Sequence, residues 1–368
     1  MKVLALTLAL ALPGFAAEGE GAAAIRKALM AKTGVVTLPT GEFDIAREIM
    51  LPADAHDLEI HGSNTTLKAT AEFRGRALLA ILNGKNIRIH DLSLDGNRDA
   101  TGRMFSLPAF GTMYARFVPA NGIVAENADN LEISNIKANR IAGFAVLINS
   151  GKAIHIHDVD VTNSGGFNAQ RRNNGTGGIA VEENTTDFEI RRCAFASIRG
   201  DGITIRAVNH GRIFENEFRS IAREAIHAEH TTAVNIESNH IEQIGFPVEE
   251  VDAPGALCMR LDHFDNASVK DNSCTEALLG GITISGADDK LILNHLTGLN
   301  AARRDVAGIY LASGSKDITI DANEISGTAM SMHCVGAAPD VPGSANKVLK
   351  NDCSDEASVA LLRHVTPH

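Results

Sequence analysis

One short pattern returns ten times along this chain, and no other feature of the sequence restricts the fold as strongly. It appears as NIRIHDLSLDG from 86, NLEISNIKANR from 130, AIHIHDVDVTN from 153, DFEIRRCAFAS from 187, AVNIESNHIEQ from 233 and DITIDANEIS from 317, with shorter copies between and after them. Each copy is an alternating strand, a polar corner and a second alternating strand. The corners fall at Asp91, Asn135, Asp158, Arg192, Asn216, Asn239, Asn272, Asn294, Asn323 and Asn351, separated by 44, 23, 34, 24, 23, 33, 22, 29 and 28 residues. A base period of 22 to 24 emerges, the step of 44 reading as two turns and the longer single steps as turns with inserted loops. Asparagine suits a corner because it tolerates the left-handed backbone region, and stacked asparagines can bond one another along the column.

Between corners lies a third strand, usually opened by glycine: GIVAEN, GIAVEEN, GITIRA, AIHAEH, ALCMRLD, GITISG, GIYLAS and MSMHCV. Three short strands per turn of about 22 residues describe a parallel β-helix, a solenoid in which each coil pairs only with its neighbours. The leucine-rich repeat is excluded by its missing leucine and asparagine spacing, and helix-pair repeats by the absence of a 3.6-residue pattern. The composition agrees: 44 % hydrophobic residues, 33 glycines, 4 % aromatics and no tryptophan call for a core of small and β-branched side chains. The expected architecture is all-β, about 10 to 12 coils at this period, in one domain over residues 18–368. The EGAAAIRKALMAKTG stretch caps its open end as a helix within 18–34, and residues 337–368 form a last coil and tail.

Residues 1–17 read as a secretory signal cleaved near Ala16 or Ala17, with an apolar run too short to span a membrane. A secreted or periplasmic location follows. The net charge of −11 excludes nucleic acid as a partner. Five cysteines, Cys193, Cys258, Cys274, Cys334 and Cys353, make an odd count without paired spacing, and are read as buried thiols and not as a disulfide framework. The sequence sets no oligomeric state.

The opening AAAIRKAL followed by GVVTLPTGEFDI, and the GI.I…I..N.I coils over nearly all of the mature chain, resemble the right-handed, single-stranded parallel β-helix proteins of the pectin-lyase-like superfamily. The resemblance implies the fold and a carbohydrate substrate, but no single activity, since one scaffold hosts lyases, hydrolases, epimerases and non-catalytic surface proteins. The polygalacturonase-like carboxylate and Gly-His-Gly pattern is matched only at Asp201; Gly177 and Glu224 stand where an aspartate and the histidine would be needed.

Alternation along the third strand sends one residue in and the next out. One outward column is expected to run Thr204, His227, Cys258, Thr283, Tyr310, and a second Glu182, Arg206, Glu229, Arg260, with Asp262 extending the row. A charge ladder of this kind can simply stabilise a sheet. The inserted loops 97–120, 163–177, 245–254 and 300–306, which carry Arg116, Arg171, Arg172, Arg303 and Arg304, instead suggest a walled groove for an acidic glycan. In a polysaccharide lyase or epimerase, Arg206 and Arg260 would neutralise a uronate carboxylate and His227 would remove the adjacent proton. Tyr310, with His333 in reserve, would be the acid. Arg116, Arg172, Arg303, Asp262 and His333 would bind substrate.

A glycoside hydrolase is the alternative, using Glu182 with Glu229 as an inverting pair or Asp201 with Glu224 as a closer one. The third reading is a non-catalytic glycan-binding protein. No metal site is expected: His155 and His157 lack a third ligand, and Asp95, Asn97 and Asp99 match a calcium loop only loosely. Calcium is compatible with the fold, but nothing in the sequence requires it.

Overall fold

The computed structural model describes residues 19–246, 256–299, 307–327, 333–341 and 346–353. Its strands stack as successive coils, each pairing in parallel with its equivalent one turn on, as Glu189 with Arg212 and Arg212 with Asn235. The solenoid interior is a continuous file of isoleucine, valine and leucine with a few phenylalanines, among them Phe195 and Phe218 stacked at 4.8 Å. The helix expected near the start is shorter than the 18–34 stretch, spanning Glu20–Ala28, and Gly34 already opens the first strand. Ala22, Ile25 and Leu29 bury its apolar side against the first coil. The signal stretch 1–17 lies outside the described residues, as does the tail beyond 353. No described helix is long and apolar enough to cross a membrane.

The corner needs one correction. In the N-terminal coils the left-handed residue is Asp91, Asn135, Asp158 or Arg192, as expected. From the next coil onward it is Glu215, Ser238, Asp271, Leu293 and Ala322, and the asparagine is the residue that follows. That position is apolar earlier in the stack, at Leu92, Ile136, Val159 and Cys193. The asparagines therefore point inward and form a buried ladder. The Nδ2 of Asn216, Asn239, Asn272 and Asn294 each donates to the Oδ1 of the next at 2.9 Å, and Asn323 donates to Asn351 at 2.8 Å. Each also donates to a backbone carbonyl, so a polar column inside an apolar core leaves few atoms unmet.

The cysteines also differ from expectation. Cys258 bonds Cys274 and Cys334 bonds Cys353, leaving Cys193 as the free, buried thiol, pushed up to about 12 by burial. An odd count concealed two bridges because the partners, 16 and 19 residues apart, meet across one coil.

Candidate functional site

The third-strand face follows the expected alternation, with a shift of two residues at ALCMRLD, where Arg260 and not Cys258 pairs with His227. The first outward column runs Ala180, Thr204, His227, Arg260, Thr283, Tyr310, Gly336. The second runs Glu182, Arg206, Glu229, Asp262. Arg260 thus stands next to His227, and Cys258 lies buried in its disulfide.

The 97–120 loop divides this face. It folds down over Arg206, which is 1 % exposed, and the helical turn Tyr114–Phe117 sits on Glu182. The Glu182 carboxylate accepts the backbone N–H groups of Tyr114 and Ala115, both at 2.8 Å, and the Asn149 amide at 3.1 Å. Arg206 lies 4.1 Å over the Tyr114 ring, donates to Glu229 at 3.2 Å and reaches the carbonyls of Thr112 and Ala109 at 3.4 Å. Burial raises Glu182 above its usual range despite those donors. The expected carboxylate neutraliser Arg206 and the Glu182 member of the inverting pair are therefore sealed from solvent and anchor the loop.

One coil further on, a second charged group is arranged differently. Asp201, Arg223, Glu224 and His227 converge where the 163–177 loop meets the strands. His227 Nδ1 lies 3.3 Å from Asp201 Oδ2, and Arg223 Nε lies 3.6 Å from Asp201 Oδ1 and 3.4 Å from Glu224 Oε2. Asp201 and Glu224 are buried, while the His227 side chain keeps 17 % of its surface in water. Both Glu224 oxygens and Arg223 Nε lack a hydrogen-bond partner of good geometry. Gly175 explains how the loop approaches: at φ +89° a Cβ there would stand 2.9 Å from Arg223 Nη1.

The two carboxyls are pushed apart. Burial, reinforced by the Asp201 charge, lifts Glu224 to about 7. Burial also works against ionised Asp201, but the Arg223 charge and the His227 hydrogen bond outweigh it and hold the group below the usual carboxylate range. His227 is raised as well, since its contact with Asp201 outweighs its own burial. A buried aspartate behind an accessible imidazole is an acid–base arrangement. At the mouth, Arg260 is 43 % exposed, and its Nε donates to Asp262 at 2.7 Å, with Asp262 3.9 Å from His227 Nε2.

The remaining expected residues lie further off. Tyr310 is half-buried three coils from His227, about 14 Å along the stack at 4.8 Å per coil. That is too far for both to act at one bond. His333 is exposed and precedes the strand Val335–Ala337, whose Gly336 pairs with Tyr310. Arg116 and Arg172 are exposed in their loops, and Arg303 lies outside the described residues. Asp95 does not form a calcium loop; Arg140 grips its carboxylate and Asn97 donates its backbone N–H. The place of Arg223 beside Glu224 in REAIH, one coil after Asp201, already marks it in the sequence as a salt-bridge partner for the Asp201–Glu224 pair, and it stands at the cluster's centre.

The chain matches the family described as the right-handed β-helix region over residues 121–296. No curated protein sequence matches it. Among solved structures it is similar to an endo-xylogalacturonan hydrolase from Aspergillus tubingensis, at TM-score 0.60 and 13 % identity, over 94 % of this chain and 98 % of that one. It is also similar to PfbA, a surface adhesin of Streptococcus pneumoniae, at TM-score 0.59 and 13 % identity, covering 87 % and 83 %. DFA-IIIase from Arthrobacter chlorophenolicus A6, in complex with GF2, aligns at TM-score 0.56 and 13 % identity, covering 89 % and 92 %.

Proposed function

The chain is a right-handed parallel β-helix protein of the pectin-lyase-like fold, and from that premise we propose that it is a secreted or periplasmic enzyme acting on a uronate-containing glycan, with His227 as the proton-transfer group. The observation that carries this reading is the pairing of an accessible imidazole with a buried Asp201 carboxylate at 3.3 Å, beside the half-exposed Arg260. Asp201 fixes the ring through Nδ1 and leaves Nε2 on the Asp262 side, 3.9 Å from that carboxylate. Asp262 takes only the Nε edge of Arg260, so the guanidinium retains donors for a substrate carboxylate.

The steps follow from these positions. A uronate carboxylate on Arg260 makes its neighbouring C5 proton acidic, and neutral His227 Nε2 removes it. In β-elimination the electron pair forms a C4=C5 double bond as the C4–O bond breaks, and the imidazolium returns the proton to the departing oxygen. In epimerisation no bond to oxygen breaks: water on the other face gives a proton to C5, and the imidazolium of His227 returns its proton to solvent. Because His227 titrates above its usual range, the neutral form grows as pH rises, and the rate should rise with it. Support from outside the site is coarser: one similar structure is a hydrolase of xylogalacturonan, and the two disulfides suit an oxidising compartment.

Hydrolysis is the second reading, favoured by the separation of Glu224 and Asp201 into an acid and a carboxylate. A panel of pectate, alginate and glycosaminoglycan substrates separates the two. Elimination gives an ultraviolet-absorbing unsaturated end without uptake of water, and His227→Ala should reduce its formation by ~10²–10⁴-fold. New reducing ends with an added water and no unsaturated product would establish hydrolysis. Glycan binding without turnover would leave a purely adhesive role.

A further inference from the structure

Away from the third-strand face, the motif IHD occurs twice on the neighbouring one, at His90–Asp91 and His157–Asp158, two coils apart. The local geometry is nearly the same. His90 Nδ1 lies 2.7 Å from Asp91 Oδ2 and its Nε2 3.3 Å from Glu59; His157 Nδ1 lies 2.6 Å from Asp158 Oδ2 and its Nε2 3.3 Å from Glu132. In both, an imidazole is clamped between two carboxylates, a arrangement that calls for positive charge.

The second corner contains that charge. Arg192 reaches Asp158 through two parallel hydrogen bonds at 2.9 and 2.8 Å. The first corner has no counterpart, because the next residue in its column is Asn135, and among the described residues no Lys or Arg pairs with Asp91 or Glu59. A second imidazole is there instead. His61, one coil before His90, stacks on it at 5.0 Å and points Nε2 at the same Asp91 Oδ2, 3.4 Å away.

We propose that His61 Nε2, His90 Nδ1 and Asp91 Oδ2 form a divalent transition-metal site, with zinc its best fit. Three donors of this type lie within 4.8 Å of one another. A tetrahedral zinc about 2.1 Å from each would set them about 3.4 Å apart, and the two stacked imidazoles must tilt out of their near-parallel arrangement to aim both lone pairs at one ion. Glu59 supplies the outer partner, accepting from His90 Nε2–H and so presenting Nδ1 to the ion. All three ligands are partly exposed, which gives entry from solvent and leaves the fourth position to water. Imidazole and carboxylate together suit zinc, copper or nickel better than calcium. Since His61 and His90 belong to successive coils, the ion would clamp the first coils of the stack together.

Isothermal titration of the whole protein with Zn²⁺ tests the assignment. One equivalent should bind, the melting temperature should rise with it, and both effects should vanish in His61→Ala and His90→Ala. Binding should persist in His157→Ala and weaken by ~10–100-fold in Glu59→Gln. If His90→Ala does not fold by circular dichroism, the more exposed His61→Ala and Asp91→Asn decide the matter. Absence of zinc binding, or binding unchanged by the His61 substitution, overturns the proposal and leaves a proton as the charge this corner holds.

Discussion

Glu182 and Asp201 begin the same stretch of successive coils, are equally cut off from water, and have opposite surroundings. Glu182 accepts two backbone N–H groups and an asparagine amide and has an arginine behind it, so its charge is met on every side. Asp201 accepts only long contacts, from the Glu224 N–H and the Thr204 hydroxyl at 3.4 Å and from His227 at 3.3 Å, and it shares Arg223 with Glu224, a second carboxyl whose oxygens are unmet. The first arrangement fastens a loop to a scaffold; the second stores proton affinity beside a partly exposed imidazole. Burial alone does not separate structural from functional charge here. The completeness of the hydrogen bonding does.

That contrast can be broken by substitution, beginning where the effect is largest. Arg206→Ala leaves Glu182 and Glu229 without their cation and should cost about 3–5 kcal/mol of stability in urea unfolding. A stable variant that has lost only glycan turnover would return Arg206 to the site. Glu182→Gln keeps one acceptor for two N–H donors and should cost about 1–3 kcal/mol, accompanied by faster proteolysis within 97–120. Gly175→Ala places a methyl against Arg223 in a left-handed backbone and should cost roughly 1–2 kcal/mol, with a disturbed pH–rate profile as the mark of the second cluster.

The smallest effect near neutrality belongs to Glu224→Gln. The Glu224 carboxyl is raised from 4.5 to about 7, so its contribution to stability is full below 4.5 and is lost as pH climbs through about 7. The glutamine variant stays neutral, and its stability should decline less across that window than the parent's, since the raised His227 still titrates in both. Parallel curves for the two proteins would show that Glu224 is ionised throughout and that the two clusters are alike.

Much of the solenoid was legible because its coils repeat, and repetition averages out local ambiguity. The register was secure where glycine opens the third strand, as at Gly202, and slipped at ALCMRLD, by two, and further at MSMHCV, where no glycine marks the frame. The asparagine phase was misread for a related reason: Asn135 and Asn216 look equivalent in sequence, yet one bends the backbone and the other fills the interior. His227 and Arg260 were visible on the charged face, and Asp201 as a carboxylate paired with Glu224. The sealing of Glu182 and Arg206 was not, since the 97–120 loop has no period from which its path over them can be read.

The inward asparagines carry a consequence for growth of the molecule. Every amide in the file faces the same way, each giving to the coil ahead and taking from the coil behind, so Asn239 offers to Asn272 what Asn216 offers to it. A segment such as 216–238 is therefore a module whose two ends match. Duplicating it should lengthen the protein by one turn and leave both junctions chemically unchanged, whereas inserting a reversed or asparagine-free turn would interrupt the file.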